Sequence, residues 1–367
     1  MPCEIVLQLD PSPDNPRNSE GSFVTLADGR ILFAYSRYYG ESWADEATAR
    51  ICGRCSTDGG RTWSGTDEVI VENEGRRNVM SVSLLRLQDG RIGLWYLRKN
   101  SVMDCRTHMR TSRDEGRTWS RAALCIPAPG YFGVNNDRVV QLRSGRLVIP
   151  AAYHRAKLPV SRKPGKTYAG WESRGIAMFF LSDDSGRNWR EAQDWWALPV
   201  RSGSGLQEPG VVELADGQLY AFCRTDVGCQ YEMFSEDGGE TWSPPQASCF
   251  RSPESPLSIK RIPSTGDLLA IWNDHSGRLM PMKPENIGWT SKSWGRIPLV
   301  SAVSQDQGKT WGHHKLLESD PTHGFCYTAL HFTDDAVLLA YCCGGGERSV
   351  VLQDLCIRRV TLDWLYA

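Results

Sequence analysis

Short apolar runs joined by tight polar turns fill the chain. FVTLADGRILFAYSR, LLRLQDGRIGLWYLR, VVQLRSGRLVIPAAY, VVELADGQLYAFCR, IKRIPSTGDLLAIWN and LHFTDDAVLLAYCCG each read as strand, turn, strand. The turns fall at Gly29, Gly90, Gly145, Gly217, Gly266 and Asp335. Asp-Gly between apolar runs is a strong hairpin signal, because the turn needs φ > 0 and glycine adopts it freely. Long helical periodicity is hard to find anywhere, so the pattern predicts an all-β chain.

A second motif alternates with the hairpins: Ser-x-Asp-x-Gly-x-x-Trp. It occurs five times, as STDGGRTW, SRDEGRTW, SDDSGRNW, SEDGGETW and SQDQGKTW. The Asp carboxylate can accept backbone N–H groups within a turn, and the Gly permits φ > 0. The Trp ring can then pack beneath the turn and fix it to the sheet. These residues are expected to hold the fold and to carry no chemistry. One hairpin plus one such turn supplies four strands. Six units spaced by 49 to 72 residues predict a six-bladed β-propeller with five such turns, spanning 1–367 as a single domain. The N-terminal run CEIVLQL is expected to pair with the last unit, which lacks the turn motif.

Composition narrows the function. The 367 residues carry 42 Lys+Arg against 43 Asp+Glu, and the net charge of −1 argues against a nucleic-acid partner. No run approaches the ~20 apolar residues of a membrane span. The opening MPCEIVLQLDPSPDNP shows no basic-then-apolar leader, so a cytoplasmic location is expected, or a secreted one if a leader has been removed. The 12 cysteines are spread out, and the single CGRC at Cys52–Cys55 has no second pair. Reduced, mostly buried thiols are expected, with no metal and no cofactor. Oligomeric state is not readable.

Register places a candidate site. Nine residues before each turn glycine stand Glu20, Ser81, Asn136, Glu208 and Leu257, and Tyr327 stands eight before Asp335. Polar residues heading strands that then become apolar are what a polar mouth above an apolar core requires. Asn136 and Asp137 in VNNDRVV, and Asn78 heading the second unit, suit sugar hydroxyls. Asn and Asp also start turns, so a structural role for them is equally open. His154 ends the third hairpin. Two inserts, Lys157–Glu172 and Met280–Trp294, are expected to wall the mouth and to offer Trp171, Trp289 and Trp294 for stacking on sugars.

The repeated Asp/Gly/Trp turn on a six-unit pattern resembles the Asp-box (BNR-repeat) sialidase superfamily, over nearly the whole chain. The resemblance implies site residues one by one. LQEPGVVELADGQLYAFCR matches the family segment in which a Glu is followed sixteen residues later by an Arg, giving Glu208 and Arg224. Arg296, eight residues before Ser304, stands where the family places another Arg. Tyr327 in GFCYTALHF stands where the family carries its nucleophile, and Asp45 in SWADEATAR, with Glu46 as a neighbouring option, where it carries its acid/base. The implied activity is an exo-acting glycosidase on terminal sialic acid or a related acidic sugar, with a Tyr327/Glu208 pair and Asp45. Substrate contacts would come from Arg224, Arg296, Glu20, Asn136, Asp137 and Asn78. The chain departs from the family at the first unit. The expected Arg-Ile-Pro is replaced by RNSEGSF, its place falls at Ser19 or Glu20, and Arg17 is out of register. That departure keeps two alternatives open: an enzyme, hydrolase or lyase, on a uronic acid or neutral sugar, and a non-catalytic glycan-binding propeller.

Overall fold

A computed structural model describes residues 2–157, 170–347 and 349–367. The chain is all-β, and the six predicted hairpins appear in order. Four of the six units are separate four-stranded antiparallel sheets. The first holds Asn18–Thr25, Ile31–Tyr38, Ala49–Ser56 and Glu68–Val71, and the fourth Gln207–Glu213, Leu219–Arg224, Cys229–Ser235 and Gln246–Arg251. The fifth holds Ser258–Arg261, Leu268–Asn273, Leu299–Ser304 and Gly312–Glu318. In the last, Cys326–Phe332, Ala336–Cys342 and Leu355–Thr361 are completed by the N-terminal strand Cys3–Leu9, as the sequence suggested. The second and third units share one sheet, because Tyr131–Gly133 pairs antiparallel with Leu147–Lys157 and touches Cys105 in parallel. The third unit's opening strand is cut to Val140–Gln141. Among the described residues no helix is long and apolar enough to cross a membrane.

The five Asp/Gly/Trp turns are built alike. In the first, Ser56 Oγ donates to Asp58 Oδ1 (2.9 Å), the Gly60 N–H donates to Ser56 Oγ (2.9 Å), and the Thr62 N–H donates to Asp58 Oδ1 (2.9 Å). Asp114, Asp184, Asp237 and Asp306 accept from their own Ser and from the residue four places on. Hydrogen bonds from the Thr118 and Thr310 side chains and backbone hold Asp114 and Asp306 down to about 2. The turn does more than close its own hairpin, for it packs on the preceding unit. A Cβ on Gly60, at φ +83°, would lie 2.6 Å from Leu338 of the last unit, and one on Gly186, at φ +85°, 2.4 Å from Met109 of the second. Trp242 of the fourth unit stacks on Phe179 of the third at 4.0 Å. Trp119 packs with Leu32 of the first unit, and Trp311 with Tyr220 of the fourth. The apolar core therefore lies in the seams between successive sheets.

This stapling predicts that Trp242→Ala, which empties a buried seam, costs about 3–5 kcal/mol of unfolding free energy in urea titration.

Candidate functional site

Five strand heads carry a strained backbone. Glu20 (φ 53°), Ser81 (59°), Asp137 (61°), Glu208 (50°) and Tyr327 (60°) are non-glycine residues in the left-handed region. Such positions cost roughly 1–3 kcal/mol each and persist where surrounding structure enforces them. In four of the five the ladder slips beside the strained residue: between Ser19 and Ser22, Met80 and Ser83, Gln207 and Gly210, and Cys326 and Ala329. A bulge re-aims a side chain that would otherwise follow the pleat. Glu20, Ser81, Glu208 and Tyr327 thereby face one cavity of about 480 Å³.

At one side of this cavity the Tyr327 hydroxyl donates to Glu208 Oε1 (3.0 Å). Arg224 Nη1 donates to the same Glu208 oxygen (2.6 Å) and reaches Tyr327 Oη (3.4 Å), while its Nη2 meets Glu254 Oε1 (3.2 Å). Burial pushes the Glu208 carboxyl up, but Arg224, Arg296 and the Tyr327 hydroxyl outweigh it and hold Glu208 below its ordinary 4.5. Burial and the facing Glu208 carboxylate push the Tyr327 phenol well above 10. Glu208 is thus an ionised acceptor and Tyr327 a neutral donor.

Arg296 completes this side. Its guanidinium is 1% exposed and lies against the rings of Trp289 (5.1 Å) and Tyr327 (5.2 Å). Among the described residues its one side-chain hydrogen bond goes to Cys326 Sγ (2.8 Å), and its Nε has no partner. Among the described residues no carboxylate lies within ion-pair distance of Arg296. A buried cation in that state favours an anion at the cavity face.

Across the cavity stands Asp45, its side chain 61% exposed, with Oδ1 2.5 Å from Arg17 Nη1. Arg17 also donates to Ser19 Oγ (3.2 Å) and lies 3.8 Å from Glu20. The Asp45 loop is gripped by its backbone too. Asn78 Nδ2 donates to the Asp45 and Ala47 carbonyls (2.8 and 2.7 Å), and the buried Lys99 ammonium donates to the Asp45 carbonyl (3.0 Å). Desolvation raises the Asp45 carboxyl, but Arg17 and Lys99 outweigh it and bring it down to about 2. Burial dominates at Glu20 and raises it, against Arg17 and a hydrogen bond from Ser81 Oγ (2.7 Å).

Of the expected residues, Tyr327, Glu208, Asp45, Arg224, Arg296 and Glu20 all line this cavity. Three do not. Asn136 donates to the carbonyls of Gly21 and Tyr327, tying two strand heads together. Asp137 accepts from Ser22 Oγ, Lys260 Nζ and the Leu330 N–H, crossing beneath the mouth. Asn78 holds the Asp45 loop. These hydrogen bonds to protein give all three a structural role, although the buried Asn78 Oδ1 has no partner among the described residues. His154, stacked on Trp171 at 4.5 Å, lies in the lining with Trp289 and Trp294. Of the insert Lys157–Glu172, residues 158–169 lie outside the described residues. Lys99 and Glu254 line the cavity without having been singled out, and Arg17, set aside as out of register, underlies Asp45. No group of His, Cys, Asp and Glu among the described residues could hold a metal.

The Arg17–Asp45 pair sets a pH signature. A carboxyl lowered from 3.8 to about 2 adds stability above about pH 4, lost as pH falls through about 2. Asp45→Asn should therefore be destabilised at neutral pH, with the buried Arg17 left to Ser19 and the more distant Glu20, and the gap to wild type should close toward pH 2. Urea unfolding of both proteins across that range checks this.

Known proteins resemble this chain in sequence and in fold. A family model described as a BNR repeat-like domain matches residues 42–339. A sialidase of Micromonospora viridifaciens is 26% identical over 351 residues, covering 84% of this chain and 47% of that protein. An anhydrosialidase of Macrobdella decora is 30% identical over 143 residues, covering 37% of this chain and 16% of that protein. The chain thus spans less than half the length of these curated relatives. Among solved structures, a leech intramolecular trans-sialidase with 2,7-anhydro-Neu5Ac superposes with a TM-score of 0.72 at 16% identity, covering 99% of this chain and 70% of that one. An intramolecular trans-sialidase from Ruminococcus gnavus gives 0.72 at 15%, covering 99% and 98%. Those identities speak for the fold alone. With the family model matching most of its length, the chain belongs to the BNR-repeat, Asp-box sialidase superfamily.

Proposed function

We propose that the chain is a single six-bladed propeller, 1–367, each four-stranded unit forming one blade, and a glycosidase acting on terminal sialic acid or a related acidic sugar. The observation that carries this reading is the Tyr327 hydroxyl donating to Glu208, with Arg224 beside both and the carboxylate-free Arg296 in the same wall. Relatives named sialidase and anhydrosialidase support it.

In this reading Tyr327 Oη attacks the anomeric carbon as its proton passes to Glu208. A phenol needs such a base at neutral pH, and a neutral nucleophile avoids setting a carboxylate against an anionic sugar. Arg224 and Arg296 hold the sugar's carboxylate by paired N–H donors. Asp45 protonates the departing oxygen and then takes a proton from the water that releases the sugar. Arg17 keeps Asp45 ionised in the free protein, so Asp45 gains its proton with substrate bound, when the incoming anion and the loss of water raise its carboxyl. Glu20 is left to accept from a sugar hydroxyl, and His154, Trp171, Trp289 and Trp294 offer apolar faces. No cofactor takes part.

One observation favours a second reading. Arg17 is engaged by Asp45 and Ser19 and stands outside the cavity lining, leaving two arginines for the carboxylate. A uronic acid sugar would suit such a site. A binding-only propeller would not need the Tyr327–Glu208 bond.

Release of the fluorophore from a fluorogenic α-sialoside tests the proposal. Turnover is expected for wild type, with Tyr327→Phe and Glu208→Gln each losing about 10²–10⁴-fold in kcat. Turnover of a uronide in place of the sialoside would move the chain to the second reading. Unchanged kcat in Tyr327→Phe would overturn the nucleophile.

A further inference from the structure

Two buried thiols lie between Arg296 in the cavity wall and Arg17 beneath Asp45. Cys326 precedes Tyr327 and accepts a hydrogen bond from Arg296 Nη1 at 2.8 Å. Its register partner on the neighbouring antiparallel strand is Cys342. Cys342 Sγ is 3.3 Å from Ser19 Oγ, which accepts from Arg17 Nη2 at 3.2 Å. Both cysteines are free and almost fully buried. Register partners on antiparallel strands have Cα atoms about 4.5–5.5 Å apart, inside the range that a disulfide spans.

We propose that Cys326 and Cys342 form a thiol-modification site, a dithiol that a hydroperoxide converts to a disulfide and that positions Arg296 only while reduced. Burial pushes the Cys326 thiol up, but its contact with Cys342 and the Arg296 charge pull it further down, to about 7. Its contact with Cys326 and burial push Cys342 the other way, well above 9. Arg296 donates to Cys326, which makes Cys326 the attacking thiolate and Cys342 the resolving thiol. Cys326 thiolate takes one oxygen from the peroxide, leaving a sulfenic acid and hydroxide. Cys342 sulfur then attacks the Cys326 sulfur, the S–S bond forms, and the sulfenic oxygen leaves as water. Two thiols are oxidised and one peroxide is reduced. Arg296 is left buried without its acceptor, in the wall that carries Tyr327. The consequence for substrate rests on the reading of Arg296 as a carboxylate-binding group.

Peptide mapping by mass spectrometry after treatment with hydrogen peroxide at neutral pH is the test, since it needs no activity. A peptide pair linking Cys326 to Cys342, lighter by two hydrogens and separated again by dithiothreitol, is the expected result. In Cys342→Ser that link should be absent and a sulfenic acid at Cys326 should be trapped by dimedone. Oxidation confined to other cysteines, with 326 and 342 still free thiols, would overturn the proposal. On whichever acidic glycoside the enzyme turns over, oxidised wild type should show KM raised about tenfold and restored by reduction. An unchanged KM in protein shown to carry the link would overturn the positioning role while leaving the glycosidase reading intact.

Discussion

Burying guanidinium groups around one cavity is the constraint on which the rest of the structure turns. Arg17, Arg224 and Arg296 are 1%, 6% and 1% exposed. A buried cation is tolerated only where fixed partners replace water. Arg17 has Asp45 and Ser19, and Arg224 has Glu208, Glu254 and Tyr327. Arg296 has a thiol and aromatic faces and, among the described residues, no carboxylate within ion-pair distance. Partners of this kind must come from distant parts of the sequence, because Glu208 and Tyr327 are 119 residues apart and still share a proton-donor contact. Only a stiff frame can hold them.

The frame supplies stiffness in two ways. Asp/Gly/Trp turns staple each sheet to the one before, and the Gly60–Leu338 approach joins the first unit to the last. At the opposite end of the strands, bulges with left-handed residues turn Glu20, Ser81, Glu208 and Tyr327 out of the pleat into the cavity. Seam packing can sustain the strain at those heads because the interior is close-packed and deforms little. The candidate site and the seam staples are thus divided between the two ends of the same strands.

Much of this was legible in the sequence. Each predicted hairpin turn is a turn, the N-terminal strand completes the last sheet, and counting back from the turns found four of the five strained heads, three from glycines and Tyr327 from Asp335. The count failed in the third unit, reaching Asn136 where the strained residue is Asp137, because that unit's opening strand is only Val140–Gln141 and its preceding loop follows no pleat. It also made Arg17 look misplaced. A bulge between Ser19 and Ser22 adds residues that counting cannot see, and the side chain lands on Asp45. Lys99 was hidden near the end of IGLWYLRKNS, where either of two adjacent cations suits an inward or outward face. Trp packing between units, rather than within one, was likewise invisible, since a repeat reveals its own turn and not its neighbour.

The central claim is that Tyr327 forms the bond to the sugar. A 3-fluoro-sialosyl fluoride tests it most directly, because the ring fluorine slows both steps while the fluoride leaving group lets the first proceed. Intact mass followed by peptide sequencing should find one sugar attached, on Tyr327. A label on Glu208 or Asp45, or steady turnover with no adduct at any time point, would contradict the account.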